Sequence, residues 1–266
     1  MICESFLQSV FHGRSELMNA CYYGNDILVE HILTNEDFYI NYQDEEGETA
    51  LTISCFLGYK RIVQMLLDCD SIDINHHTNS RETAITKACY KNHHDIIKLL
   101  LQYEGVNVSF STNFIIQPII YAIYYRNLEM IRLLLDYDPD MNLNYRSLGF
   151  ANQETPLTLA IYSSNALIVK SLLSHKSINL KFSNGRGEYP IDIVRKLANK
   201  AEILKLFEDR ALKESQLLYN YCDKILKKKY YLGEDMIYRI SSFLTISDIY
   251  LYSPDISSHQ EVLLKF

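Results

Sequence analysis

The chain has 266 residues, 48% of them apolar, with 33 acidic against 26 basic side chains and a net charge of −7. That length suits one extended domain with a small appendage, and the acidic balance argues against a nucleic-acid or anionic-membrane surface. The first residues, MICESFLQSV, lack a basic leading region and carry Glu4 in their apolar run, so they do not read as a secretory signal. The most apolar stretch, residues 114–125, contains Gln117 and Pro118 and is too short to cross a bilayer; no membrane insertion is expected.

Residues 1–12 read as an N-terminal cap on the periodic part of the chain, which begins at residue 13. Leu17, Leu51, Ile85, Ile119, Leu157 and Ile191 fall 34, 34, 34, 38 and 34 residues apart. Three places after each stands Ala20, Ser54, Ala88, Ala122 or Ala160, small enough to let a second helix approach, with Val194 in the last copy. Gly24 and Gly58 then close the first helix in a left-handed position, which Asn92, Arg126 and Ser164 occupy in later copies. The second helix carries an apolar stripe at helical spacing: Leu28, Val29, Ile32 and Leu33; Ile62, Val63, Leu66 and Leu67; Ile96, Ile97, Leu100 and Leu101; Met130, Ile131, Leu134 and Leu135; Ile168, Val169, Leu172 and Leu173. The sixth copy carries Ile203, Leu204, Leu206 and Phe207, shifted by one. The fifth copy is the clearest, with Thr155 as helix cap and Pro156 in the first turn, where its missing N–H does no harm.

A period near 33 with this T-P-L pattern resembles ankyrin repeats, over residues 13–207 and in six copies. The resemblance implies an all-α solenoid of helix-turn-helix units that binds a protein partner. In ankyrin repeats, the two positions that follow the small residue by two and three places face the concave groove. Here the first holds Tyr22, Phe56, Tyr90, Tyr124 and Tyr162, and the second includes Tyr23, Leu57 and Tyr125. Such rings either fill the groove floor by stacking between repeats or form a binding face, and the sequence leaves both open. Glu45, Glu46 and Glu48 lie at one finger between repeats, and Phe114, Ile115 and Ile116 at another; the four-residue insertion falls at about 146–152.

Six cysteines suggest neither disulfides nor a metal site. Cys21, Cys55 and Cys89 are one repeat position read three times, and equivalent positions stack roughly 10 Å apart, beyond disulfide reach. All six are expected to be free thiols. His76 and His77 lie in a loop between repeats, and His93 takes a slot where ankyrin repeats often carry His; none has ligand-spaced Cys or carboxylate neighbours. No Walker loop, G-x-S-x-G or H-E-x-x-H occurs, so no enzyme, cofactor or metal is expected.

Residues 208–228 read as a linker helix, and the short run Lys227–Lys229 as its solvated end. In 229–266, Met236, Ile237, Ile240, Phe243 and Leu244 share one helical face, and Ser247 and Asp248 signal a second helix. This segment resembles the opening of an F-box, with Leu232, Asp235, Met236, Ile240, Leu244, Asp248 and Ile249 in matching slots and Gly233 in place of the family's proline. An F-box-like segment after ankyrin repeats is the arrangement of poxviral and rickettsial ankyrin proteins. The resemblance implies an adaptor: the groove holds a host target, and Leu232, Asp235, Met236, Ile237, Ile240, Leu244 and Ile249 dock the Skp adaptor and cullin of a ubiquitin ligase. It also implies work in a host cytoplasm or nucleus after export. The other reading is a plain ankyrin scaffold or inhibitor, with residues 208–266 as a structural cap.

Overall fold

A computed structural model describes residues 13–34, 38–109, 117–147, 152–197 and 201–213. Among these residues the regular structure is helical, with no strand. Helix pairs recur in chain order: α1 (Glu16–Tyr22) and α2 (Asp26–Leu33), α3 (Ala50–Leu57) and α4 (Lys60–Leu67), α5 (Ala84–Tyr90) and α6 (His94–Leu100). Next come α7 (Pro118–Tyr124) and α8 (Leu128–Tyr137), α9 (Pro156–Tyr162) and α10 (Ala166–Ser174), then α11 (Pro190–Lys196). Two compact units divide between Ile193 and Val194.

The first helices start where the sequence places a hydroxyl. Ser15, Thr49, Thr83 and Thr155 each accept a hydrogen bond from the backbone N–H three residues on. In three of them, Thr52, Thr86 and Thr158 return the bond to the cap's own N–H, so both donors are satisfied reciprocally. Gln117 makes no such side-chain bond in the fourth copy, where Pro118 occupies the first turn instead. The turn after the first helix is left-handed in the first five copies: Gly24, Gly58, Asn92, Arg126 and Ser164 have φ between 54° and 87°. A side chain there costs on the order of 1 kcal/mol. At Gly58 a Cβ would also lie 2.6 Å from the ring of His93, so glycine is required on two counts.

Within residues 1–193 the helices form two layers. The first helices α1, α3, α5, α7 and α9 each pack on the next, and so do the second helices α2, α4, α6, α8 and α10. The layer interface is the expected one. Leu17, Leu51, Ile85, Ile119 and Leu157 are buried, as are Ala20, Ser54, Ala88, Ala122 and Ala160. The slot beside the small residue holds Cys21, Cys55, Cys89, Ile123 and Ile161, all inaccessible. The cysteines there serve as small apolar side chains, and burial pushes the Cys21 thiol up to about 12 and Cys55 and Cys89 higher. Cys21, Cys55, Cys69 and Cys89 are free thiols; Cys3 and Cys222 lie outside the described residues.

Side-chain amides lock three of the repeats to the ones that follow. Asn41 donates to Ser71 O at 2.7 Å and accepts from Asp73 N at 2.8 Å. Asn75 does the same with Gly105 O and Asn107 N, and Asn144 with Ser177 O and Asn179 N. The histidines are also structural links: His76 Nε2 meets Gly47 O at 2.9 Å and His93 Nε2 meets Phe56 O at 3.1 Å, each in the preceding repeat.

In residues 194–213, Val194, Ile203, Phe207 and Ala211 are buried, and helical backbone spans 201–213. The sequence placed Ile203, Leu204, Leu206 and Phe207 on one stripe. The buried face instead runs through Ile203, Phe207 and Ala211 at steps of four, leaving Leu204 and Leu206 half-buried. The predicted linker helix beyond 213 and the segment 229–266 lie outside the described residues.

Two substitutions should move stability in opposite directions in thermal or urea unfolding. Asn75→Ala removes both bonds of one clamp and should destabilise by about 1–3 kcal/mol. Ser164→Gly relieves a left-handed turn and should stabilise by about 0.5–1 kcal/mol.

Candidate functional site

The last turn of each first helix faces away from the second-helix layer, and its side chains are left partly uncovered. Tyr22, Tyr90 and Tyr162 are 43%, 42% and 43% exposed, and Tyr124 60%. Tyr23 and Tyr125 are exposed as well, and Phe56 and Leu57 are half-buried. All eight side chains that the sequence assigns to the groove therefore present surface to solvent.

The rings are neither free nor fully buried. Phe56 and Tyr90, on adjacent repeats, stack with centroids 6.2 Å apart and planes 17° apart. Tyr90 meets Tyr121 edge-on at 5.6 Å, and Tyr22–Tyr23 and Tyr124–Tyr125 are edge-on pairs within one repeat. The Tyr125 hydroxyl donates to Tyr90 O at 2.6 Å, a second kind of bond between repeats. Cations lie over three of the rings: Arg14 is 4.6 Å from the Tyr22 centroid, and Lys91 is 4.4 Å from that of Phe56 and 5.4 Å from that of Tyr90. Stacking and exposure, posed as alternatives by the sequence, coexist on the same residues.

Sequence reasoning missed the charged centre of this face. Lys87 is 9% exposed, and its Nζ sits 2.6 Å from Glu48 and 2.8 Å from Glu82, on two successive repeats. Burial alone would lower its pKa, but the hydrogen bonds to Glu48 and Glu82 outweigh it and hold the ammonium above its ordinary value. That raised value means the contribution to stability is intact at neutral pH and is lost only as pH climbs through the folded pKa. Glu48 Oε2 also accepts from the Thr52 hydroxyl at 2.6 Å, which ties the ion cluster to the capping box of α3. Tyr121, in the slot that Lys87 fills one repeat earlier, is pushed up to about 12 by burial, with Glu82 and Tyr90 adding to it. The signal for this cluster was a lysine in the first helix where the other copies carry Asn19, Ile53, Tyr121 and Leu159.

Further site residues from the sequence fall outside the described part. These are the F-box-like set, Leu232, Asp235, Met236, Ile237, Ile240, Leu244 and Ile249, and the apolar finger Phe114, Ile115 and Ile116. Among the described residues, no three His, Cys, Asp or Glu side chains are grouped to hold a metal ion. No described helix is long and apolar enough to cross a membrane.

A profile of the family described as ankyrin repeats (3 copies) matches residues 17–112 and 105–184, so this chain belongs to the ankyrin-repeat family. Solved structures agree on the fold. An ankyrin repeat domain from Acinetobacter baumannii matches at 24% identity and TM-score 0.63, over 73% of this chain and 96% of that one. A chain from the complex of a predatory endopeptidase of Bdellovibrio bacteriovorus with its immunity protein matches at 21% identity and TM-score 0.60, over 74% and 98%. The ankyrin repeat domain of Bcl-3, a member of the IkappaB protein family, matches at 17% identity and TM-score 0.54, over 74% and 100%. Comparison with curated proteins returns no significant match. Ankyrin repeats are scaffolds for binding protein partners, and the uncovered aromatic row lies on such a scaffold.

The weight of the ion cluster around the buried Lys87 is measurable by a double-mutant cycle in denaturant. Lys87→Met leaves two carboxylates facing each other and should cost about 2–4 kcal/mol. Adding Glu48→Gln to Lys87→Met should recover part of that loss, a coupling expected only of residues in contact.

Proposed function

We propose that this protein is an interaction adaptor whose aromatic groove grips a protein target. The observation that carries the reading is the row Tyr22, Phe56, Tyr90, Tyr124 and Tyr162, one ring per repeat, each left partly open to solvent. Tyrosine offers a large, stiff contact area for little lost rotamer freedom, which is why such rings anchor interfaces. On the resemblance of 229–266 to an F-box, the C-terminal segment docks the Skp adaptor of a cullin ubiquitin ligase through Leu232, Asp235, Met236, Ile237, Ile240, Leu244 and Ile249. The target would then be presented for ubiquitination in the cytoplasm of a eukaryotic host.

Affinity purification from eukaryotic cells tests both halves separately. Tyr90→Ala with Tyr124→Ala should weaken target binding by about 2 kcal/mol or more, roughly thirtyfold, with little change in melting temperature. A large fall in melting temperature with unchanged affinity would show the rings to be structural. Leu232→Ala, Ile240→Ala and Leu244→Ala together should abolish recovery of the Skp adaptor and cullin while the target is retained. If no ligase subunit is recovered with the wild-type chain, the protein is instead a scaffold that sequesters its target.

A further inference from the structure

The turn that opens repeat six holds the one Asn-Gly step of the sequence, Asn184-Gly185. Such a step is chemically fragile. The glycine nitrogen, with no side chain beside it to hinder the approach, attacks the asparagine Cγ and expels ammonia. Water then opens the resulting succinimide to aspartate or isoaspartate. Packing fixes the glycine: a Cβ on residue 185 would lie 2.7 Å from the Asn152 carbonyl oxygen and 2.7 Å from the Gln153 Cβ.

The asparagine follows from what lies behind it. Asp44 occupies the same slot in repeat two, seven residues before Leu51 as Asn184 is before Ile191. Both side chains tie their own turn. Asp44 Oδ1 accepts from the N–H of Glu46 at 3.1 Å and of Glu48 at 2.8 Å, and Asn184 Oδ1 accepts from those of Arg186 and Glu188 at 3.0 Å. Their second atoms differ. Asp44 Oδ2 accepts from Arg14 Nε at 3.2 Å, whereas Asn184 Nδ2 donates to both oxygens of Glu154 at 3.3 Å; each partner stands 30 residues upstream. Repeat two matches an acid to a base, and repeat six an amide to an acid. Asn184 is fully buried and Glu154 is 5% exposed. An aspartate at 184 would turn a carboxylate oxygen toward the Glu154 carboxylate inside this wall, removing the donor and adding a charge.

The closed turn also withholds the reaction. The Gly185 N–H donates to Asn152 O at 3.0 Å and to Gln153 O at 3.1 Å, so the nitrogen that must lose its proton to attack is engaged with repeat five. Hydrogen bonds on both the oxygen and the nitrogen of the Asn184 amide keep Cγ from swinging toward it.

We propose that Asn184-Gly185 is a deamidation site gated by opening of the turn 184–187, and that its conversion stops the turn from reclosing on repeat five. Each event consumes one water and releases one ammonia, with no enzyme or cofactor required. The bonds that block the attack are those that hold the turn shut, so the rate follows the open population. The same turn anchors the Tyr162 hydroxyl, which donates to Glu188 Oε2 at 3.3 Å. Deamidation therefore sets a chemical lifetime on that end of the groove, whichever partner the groove holds.

Peptide mapping by mass spectrometry, on the full chain aged in mildly alkaline buffer with and without guanidinium chloride, tests the gate. Residue 184 should deamidate at least about tenfold more slowly in the folded than in the unfolded chain, and denaturant below the unfolding transition should speed it. Equal rates in the two states, or a folded rate indifferent to that denaturant, would overturn the gate. Thermal melts test the consequence. Asn184→Asp should lower the melting temperature, Glu154→Gln alone should change it little, and the two together should recover most of the loss, because the glutamine amide restores a donor. An Asn184→Asp chain as stable as the wild type, or one that Glu154→Gln fails to rescue, would show that conversion does not hold the turn open.

Discussion

A pair of helices seven to ten residues long cannot persist in water by itself, because its nucleation cost exceeds what its few backbone bonds return. The packing of the described repeats answers that constraint. The small residue in each first helix lets the second helix approach, the apolar stripes cover one another, and the asparagine clamps and histidine bridges satisfy backbone groups of the neighbouring repeat. Stability in such an array is a sum over repeats and the interfaces between them. A single poorly matched unit weakens its two interfaces rather than the whole.

The periodic part of this design was legible because it depends on residue size and spacing. Leu51, Ser54 and Gly58 stand in slots whose partners recur 34 residues away, and each repeat checks the others. The capping boxes were half legible: Thr155 is a visible cap, but the reciprocal bond, from the Thr155 N–H to the Thr158 hydroxyl oxygen, depends on that side chain's rotamer. The clamps were missed although Asn41, Asn75 and Asn144 sit near the ends of repeats. An asparagine after an apolar residue looks like ordinary loop polarity, and only the fold brings the next repeat's backbone within hydrogen-bonding reach. Lys87 was hidden for the same reason. Its carboxylate partners Glu48 and Glu82 lie 39 and 5 residues upstream, and no helical spacing links them.

The groove shows how a binding surface can be built from residues that also hold the scaffold. Tyr125 fastens its hydroxyl to the preceding repeat while its ring remains open. Phe56 stacks on Tyr90 and is capped by Lys91. Such side chains have little rotamer freedom left to lose when a partner arrives, so the surface is preorganised by the contacts that stabilise it. Truncating a ring removes partner contact and some scaffold contact together, and affinity and stability need to be read side by side.

The left-handed turn that closes the first helix in repeats one to five has a consequence for motion. Glycine fills it in repeats one and two, but Arg126 and Ser164 fill it in repeats four and five at a conformational cost. Because repeats are coupled chiefly to their neighbours, that cost stays local instead of spreading over the chain. Local opening in repeats four and five therefore costs less than it would with glycine in the turn. A partner that closes over Tyr124 and Tyr162 would hold those two turns shut.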